Sequence, residues 1–116
     1  MIVIECAVET RIPVSHPDVA EYQCAVYDGG VVVAVMLRPV YGRSERTRVL
    51  REVAYAVRRY LSLSGGAVSV PYGSADLSCV PVYVLADVDV YQAILHGEIL
   101  DLPRLATRPG CYVLTD

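Results

Sequence analysis

Any chemistry in this chain must come from two histidines, four cysteines, a few neighbouring carboxylates and ten arginines. His16 lies in Ser15-His16-Pro17 and His96 precedes Gly97. Either ring would serve as the base that activates Ser15 or Cys24 as a nucleophile. No local motif prepares that partner, and histidines beside proline or glycine are usually exposed turn residues. Asp87 and Asp89 flank Val88 as a pair of carboxylates, but Asp87 is equally placed to cap a helix by accepting a free backbone N–H. The glycine stretches "SGG" and "YGS" lack the context of a phosphate-binding loop. No catalytic residue, metal site or cofactor is predicted, and the chain reads as non-enzymatic.

Cys6, Cys24, Cys79 and Cys111 form no CxxC pair and have no histidine at metal-ligand spacing, which argues against a zinc ribbon or finger. A dithiol redox centre would want the same missing pair. Cys6 and Cys24 fall on the inward faces of two strands able to pair. That pairing sets Glu9 opposite Glu21, an unfavourable like-charge contact. Cys79 and Cys111 each precede a late strand and supply the natural complement. Four cysteines allow three connectivities, so the pairing stays open. At least one structural disulfide, within or between chains, is expected, and closing the Cys6–Cys24 loop would stabilise the fold by about 3 kcal/mol. Buried free thiols are the alternative.

The stronger signal is positive charge. Arg43 to Tyr60 holds six of the ten arginines in a chain whose formal net charge is −3. From Arg38 to Ser62, seven arginines stand against Glu45 and Glu52, while the rest of the chain carries three arginines and eleven carboxylates. Arg48, Arg51, Tyr55 and Arg58 follow at steps of three and four, one stripe of a helix. Arg59 edges the stripe, Arg46 lies near its start, and Arg38 and Arg43 stand just upstream.

Three readings compete for this face. It is solvated and tied down by the ion pairs Glu45–Arg48 and Arg48–Glu52, each worth a few tenths of a kcal/mol. Or it meets an acidic surface on a second copy or an unidentified protein partner, which predicts a homodimer. Or it binds RNA, with guanidinium groups bonding phosphate oxygens and Tyr55 stacking on an unpaired base. The acidic overall balance weighs against the third, because nucleic-acid domains usually carry a basic total charge.

These residues need elements to hold them. Ile2 to Glu9 alternates with Ile2, Ile4, Cys6 and Val8 inward, and reads as a strand; "TRIPVSHPD" reads as a loop. Glu21 to Tyr27 is a second strand, "YDGG" a hairpin turn, and Val31 to Leu37 a continuously apolar, central strand. Ser44 is placed to cap the arginine-bearing helix, whose apolar stripe is Val49, Leu50, Val53, Val57, Tyr60 and Leu61. Ala67 to Pro71 reads as a strand, "YGSAD" as a turn and Val80 to Ala86 as a buried strand. Asp87 caps a short helix to Leu95, and Cys111 to Leu114 adds an edge strand.

The order β-ββ-α-β-β-α-β predicts an α+β fold over residues 1–116 as one domain: a mixed, largely antiparallel sheet with two helices on one face. No apolar run approaches a membrane span and the N-terminus lacks a basic leader, so a cytoplasmic protein is expected. The chain has no Lys, Asn, Phe or Trp but ten Arg and nine Tyr. A GC-rich genome accounts for the missing Lys, Asn and Phe; the lack of Asn and scarcity of Gln also predict a thermostable protein from a hyperthermophilic archaeon, where intracellular disulfides are common.

The run "VVVAVMLRPVYGRSERTRVLREVAYAVRRYL", followed by "AVSVPYGSADLSCVPVYVLAD", resembles the core of a THUMP domain, a family found in tRNA-modifying enzymes. The likeness lies in element order over residues 31–87: a strand ending in a basic residue (Arg38), a Ser-led helix (Ser44), then further strands ending in Val80 to Ala86. It implies contact with tRNA or another RNA through the arginine-rich helix, and a catalytic partner elsewhere.

Overall fold

A computed structural model describes residues 8–9, 12–27, 29–39, 42–63, 67–70, 73–76 and 80–115, with only the backbone described at 8–9, 67–70 and 73–76. Val31 to Val35 are 0–1% exposed and run through the middle of a five-stranded sheet. Their strand, β3 (Gly30–Leu37), pairs antiparallel with β2 (Val19–Tyr27), which pairs antiparallel with β1 (Val8–Glu9). On its other side β3 pairs parallel with β6 (Val82–Leu85), and β6 pairs antiparallel with β7 (Tyr112–Leu114). Parallel neighbours need a crossover. Here it contains α1 (Arg43–Leu63) and a separate two-stranded hairpin, β4 (Ala67–Val70) with β5 (Gly73–Asp76). The fold is α+β with a mixed sheet, as the sequence predicts.

Both faces of the sheet are covered, not one. Val31, Val33 and Val35 join Cys24, Val26, Val82 and Val84 against the α1 residues Val49, Val53, Val57 and Leu61. Val32, Ala34, Ala25 and Leu85 face the other way, onto α2 (Val88–Leu95) and α3 (Leu102–Leu105). The reason is in β3 itself: a strand apolar at every position presents two faces that must leave water. Among the described residues no polar or charged one is buried.

Several local expectations change. The helix begins at Arg43, one residue before Ser44, and its first turn closes through Arg46 N–H on the Gly42 carbonyl. Gly42, at φ +110°, therefore holds the capping position assigned to Ser44. Gly73 to Asp76, expected within a turn, form strand β5, which pairs antiparallel with β4 from Val70↔Gly73 to Ala67↔Asp76. Helix α3 is an element the predicted order lacks; Asp101 caps it and Pro103 sits in its first turn. Tyr60 is 38% exposed and Ala54 takes its place in the buried stripe. Glu9 lies opposite Ala25, four residues from the expected partner Glu21.

Asp87 caps α2 as expected, accepting hydrogen bonds from Asp89 N and Val90 N. An extra residue at Ala20 shifts the β2–β3 register between Val19 and Glu21. The bulge lets Val19 and Tyr22 both pack on the α1 side while Glu21 stays within reach of Tyr91 Oη, at 3.4 Å. Among the described residues no helix is long and apolar enough to cross a membrane.

Candidate nucleic-acid interface

The arginine face is built on α1, whose buried residues recur at Val49, Leu50, Val53, Ala54, Val57 and Leu61. That spacing fixes the opposite side of the helix outward. Arg51, Tyr55 and Arg59 share this outward side at intervals of four residues, and all three are exposed. Arg48 lies on it one turn earlier. With a rise of about 1.5 Å per residue, successive members of the row stand about 6 Å apart along the axis.

Arg48 is occupied. Its Nη2 donates to Glu45 Oε2 at 2.6 Å and its Nη1 to Glu52 Oε1 at 2.8 Å, so both expected ion pairs form. The Glu45 hydrogen bond, then the charges of Glu45 and Glu52, push its guanidinium above its ordinary value. Arg58, expected on the free stripe, turns toward the sheet and donates through Nη2 to the Val80 carbonyl. The physical reason is position: Arg58 follows buried Val57 and Ala54 by one and four residues, on the flank facing β6. Arg46 is exposed, but it stands four and seven residues before Leu50 and Val53, on the core side of the helix, and so leaves the row. Arg38 and Arg43 are exposed at the end of β3 and the start of α1. The face predicted as one continuous stripe is thus a half-neutralised first portion and an open second portion centred on Tyr55.

His16 is not the exposed turn residue its neighbours suggest. Its side chain is 13% exposed, Nδ1 accepts from Asp18 N at 3.1 Å, and Nε2 lies 3.3 Å from Glu52 Oε1. Because Nδ1 accepts, Nε2 carries the proton and donates to Glu52. Both ring nitrogens are therefore engaged, and the loop before β2 is braced onto α1. No signal in the sequence announced this link, which joins residues 36 apart. His96 is exposed at the end of α2.

Cys24 and Cys111 carry free thiols on opposite sides of the sheet, Cys24 in the α1 cluster and Cys111 against the α2–α3 cluster. The sheet between them excludes a Cys24–Cys111 bond. Cys6 and Cys79, the other expected disulfide partners, lie outside the described residues. Burial pushes the Cys24 thiol up to about 12 and the Cys111 thiol up to about 11, so neither is a thiolate nucleophile near neutral pH. Among the described residues no group of three or more His, Cys, Asp or Glu is placed to hold a metal ion.

Compared with family models, curated proteins and solved structures, the chain matches none of them.

Proposed function

We propose that this chain is a non-enzymatic, THUMP-like domain that binds RNA through the open part of α1, with Arg51, Tyr55 and Arg59 as its core and Arg38, Arg43 and Arg46 as peripheral charges. One observation carries the reading: Tyr55 is 55% exposed between two exposed arginines, each one turn away on the same side of the helix. An aromatic ring left in water between two guanidinium groups suits a base stacked on the ring with its flanking phosphates on the arginines. Element order in the THUMP domain supports RNA, and tRNA in particular, as the ligand class.

Arg48 and Arg58 do not belong to the binding set in this reading, because each is engaged within the chain. The test is titration of labelled tRNA, at low and moderate salt, against the wild type, Arg51→Glu/Arg59→Glu and Tyr55→Ala. The double variant should lose about ten-fold or more in affinity and show a smaller salt slope. Equal affinity for all three proteins removes the proposal.

A second reading is self-association. In the layer across the sheet from α1, Asp87, Asp89, Glu98 and Asp101 outnumber Arg104 and Arg108. A basic face of one copy laid on this acidic layer of the next is a head-to-tail contact, which extends into chains rather than closing as the expected homodimer. Sedimentation that shows species growing with concentration, and reverting to monomer in Arg51→Glu/Arg59→Glu, would support it; a discrete dimer indifferent to those substitutions would exclude it.

A further inference from the structure

We propose that the cleft between α2, α3 and the turn leading into β7 binds a small carboxylate that carries an apolar body. The site lies on the sheet face opposite α1 and does not depend on the RNA reading. The cleft has a volume of ≈ 360 Å³ and is lined by Val90, Leu100 and Leu105 together with Arg104 and Arg108. That size falls at the lower end of the range of about 300–1,000 Å³ in which proteins hold small molecules.

Two features give the cleft its chemistry. Val90 and Leu105, 3% and 4% exposed, are fixed beneath the cleft by core packing, and Leu100 and Pro109 add the apolar surface open to a ligand. On the wall, Arg108 donates through Nε and Nη2 to Asp87 Oδ2, at 2.9 and 2.7 Å. Asp87 is itself fixed, since its Oδ1 caps α2. The guanidinium of Arg108 is therefore held by one edge, with Nη1 uncommitted among the described residues. The Arg104 guanidinium makes no hydrogen bond or ion pair among the described residues. Thr107 spends its hydroxyl proton on the Arg104 carbonyl at 2.7 Å, which leaves the two arginines as the side-chain donors of the cleft.

Charge then narrows the ligand. Asp87 offsets Arg108, and Asp101, which also lines the cleft, offsets Arg104. With these charges cancelling, no net field offsets the desolvation of an anion, and that cost is larger for a dianion such as a phosphate monoester than for a monoanion. A monoanion can still take the planar fork of Arg104 and the free edge of Arg108, the geometry that matches a carboxylate. The apolar surface requires a body that acetate lacks.

The test uses the whole chain and four probes: 3-phenylpropionate, 3-phenylpropanol, 3-phenylpropyl phosphate and acetate, followed by ¹H–¹⁵N spectra that include the arginine Nε–H signals. Saturable shifts at Val90, Leu105, Arg104 and Arg108 are expected with 3-phenylpropionate, and the alcohol and acetate should bind about ten-fold more weakly or worse. Arg104→Gln should weaken the carboxylate by about five-fold or more, and Arg104→Lys, which keeps the charge but not the fork, by less. The spectrum of each variant reports whether the fold is intact. No saturation up to about 10 mM carboxylate, equal binding of the alcohol, or unchanged binding in well-folded Arg104→Gln would overturn the proposal. Tighter binding of the phosphate would overturn the carboxylate assignment.

Discussion

Arg48 sits between Glu45 and Glu52, bonded to one at 2.6 Å and to the other at 2.8 Å, and Glu52 is shared with the Nε2 proton of His16 at 3.3 Å. This chain of charge neutralises the early half of the arginine face and leaves the later half open. Positive charge concentrated in sequence is therefore not positive charge concentrated in space.

Removing the two carboxylates should free the exposed Arg48 guanidinium. Glu45→Gln/Glu52→Gln is expected to raise tRNA affinity about two- to five-fold at low salt, since one more guanidinium becomes available to phosphate. The Arg48 pairs are solvent-exposed and contribute little to stability, so any loss of stability should come from the His16 contact to Glu52. Anisotropy titration and chemical denaturation on the same variant measure both. Unchanged affinity would mean that the Arg48 region lies outside the bound surface.

Arg58 offers the opposite case. Its bond to the Val80 carbonyl ties the later part of α1 to the residue two before β6. Arg58→Ala should lower stability by about 1–3 kcal/mol through a lost charge-assisted hydrogen bond to a part-buried carbonyl. It should weaken RNA binding much less than Arg59→Ala does. The comparison of the two neighbours, by denaturation and by titration, separates a structural arginine from a surface one.

That contrast marks what the sequence can and cannot display. The run of valines in β3, the Asp87 cap and the stripe at Val49, Leu50, Val53, Val57 and Leu61 are local patterns, and local patterns dictated the strand, the cap and the buried side of α1. The fate of each arginine was not local. Arg48 turned on partners three and four residues away, already visible in the spacing, whereas Arg58 turned on a carbonyl 22 residues on. The second covered face was legible in principle, because no strand exposed on one side would be apolar at five successive positions. Helix α3 was announced by Asp101 followed by Pro103, a cap and a first-turn proline too short to carry a period.

Gly30 opens β3 where space is smallest. A Cβ there would meet Tyr83 Cε1 at 2.7 Å, Leu102 Cδ1 at 3.1 Å and the Pro81 carbonyl at 3.2 Å. The Tyr83 ring has some room to move, but the Pro81 carbonyl is backbone and accepts from Val31 N at 2.9 Å. Gly30→Ala should therefore cost about 1–3 kcal/mol, the usual range for overpacking. Gly29→Ala, with open space but φ +99°, should also destabilise, through backbone strain alone. Loss of the Val31 amide's protection from hydrogen exchange in the first variant and not in the second would separate the two causes.

Asp87 joins a helix cap to an ion pair with Arg108 at 2.7 Å. Burial alone would raise its carboxyl, but the Arg108 hydrogen bond, the Val90 and Asp89 N–H groups and the Arg108 charge outweigh it and hold the group below its ordinary 3.8. A lowered folded value means a contribution that is present above pH 3.8 and is lost as pH falls through the folded value. Asp87→Ala should destabilise by about 1–2 kcal/mol near neutral pH, and the gap to wild type should shrink in acid. A constant gap down to the acid limit would show that the charge of Asp87 contributes nothing.

The buried thiols set the alkaline limit. Burial raises Cys24 from 9.0 to about 12 and Cys111 from 9.0 to about 11; Tyr27, through burial and then the nearby Cys24 charge, rises from 10.0 to about 12. In each case the unfolded chain ionises first. The stability these groups lend is complete below pH 9 and drains away as pH climbs toward 12. Cys24 alone should remove about 1.4 kcal/mol per pH unit above 9. Denaturant midpoints measured between about pH 8 and pH 10.5 should fall in the wild type and fall less steeply in Cys24→Ala. A disulfide-bonded Cys24 has no proton to lose, so equal slopes in the two proteins, together with a slope that appears only after reduction, would replace the free thiol at Cys24 with a bond.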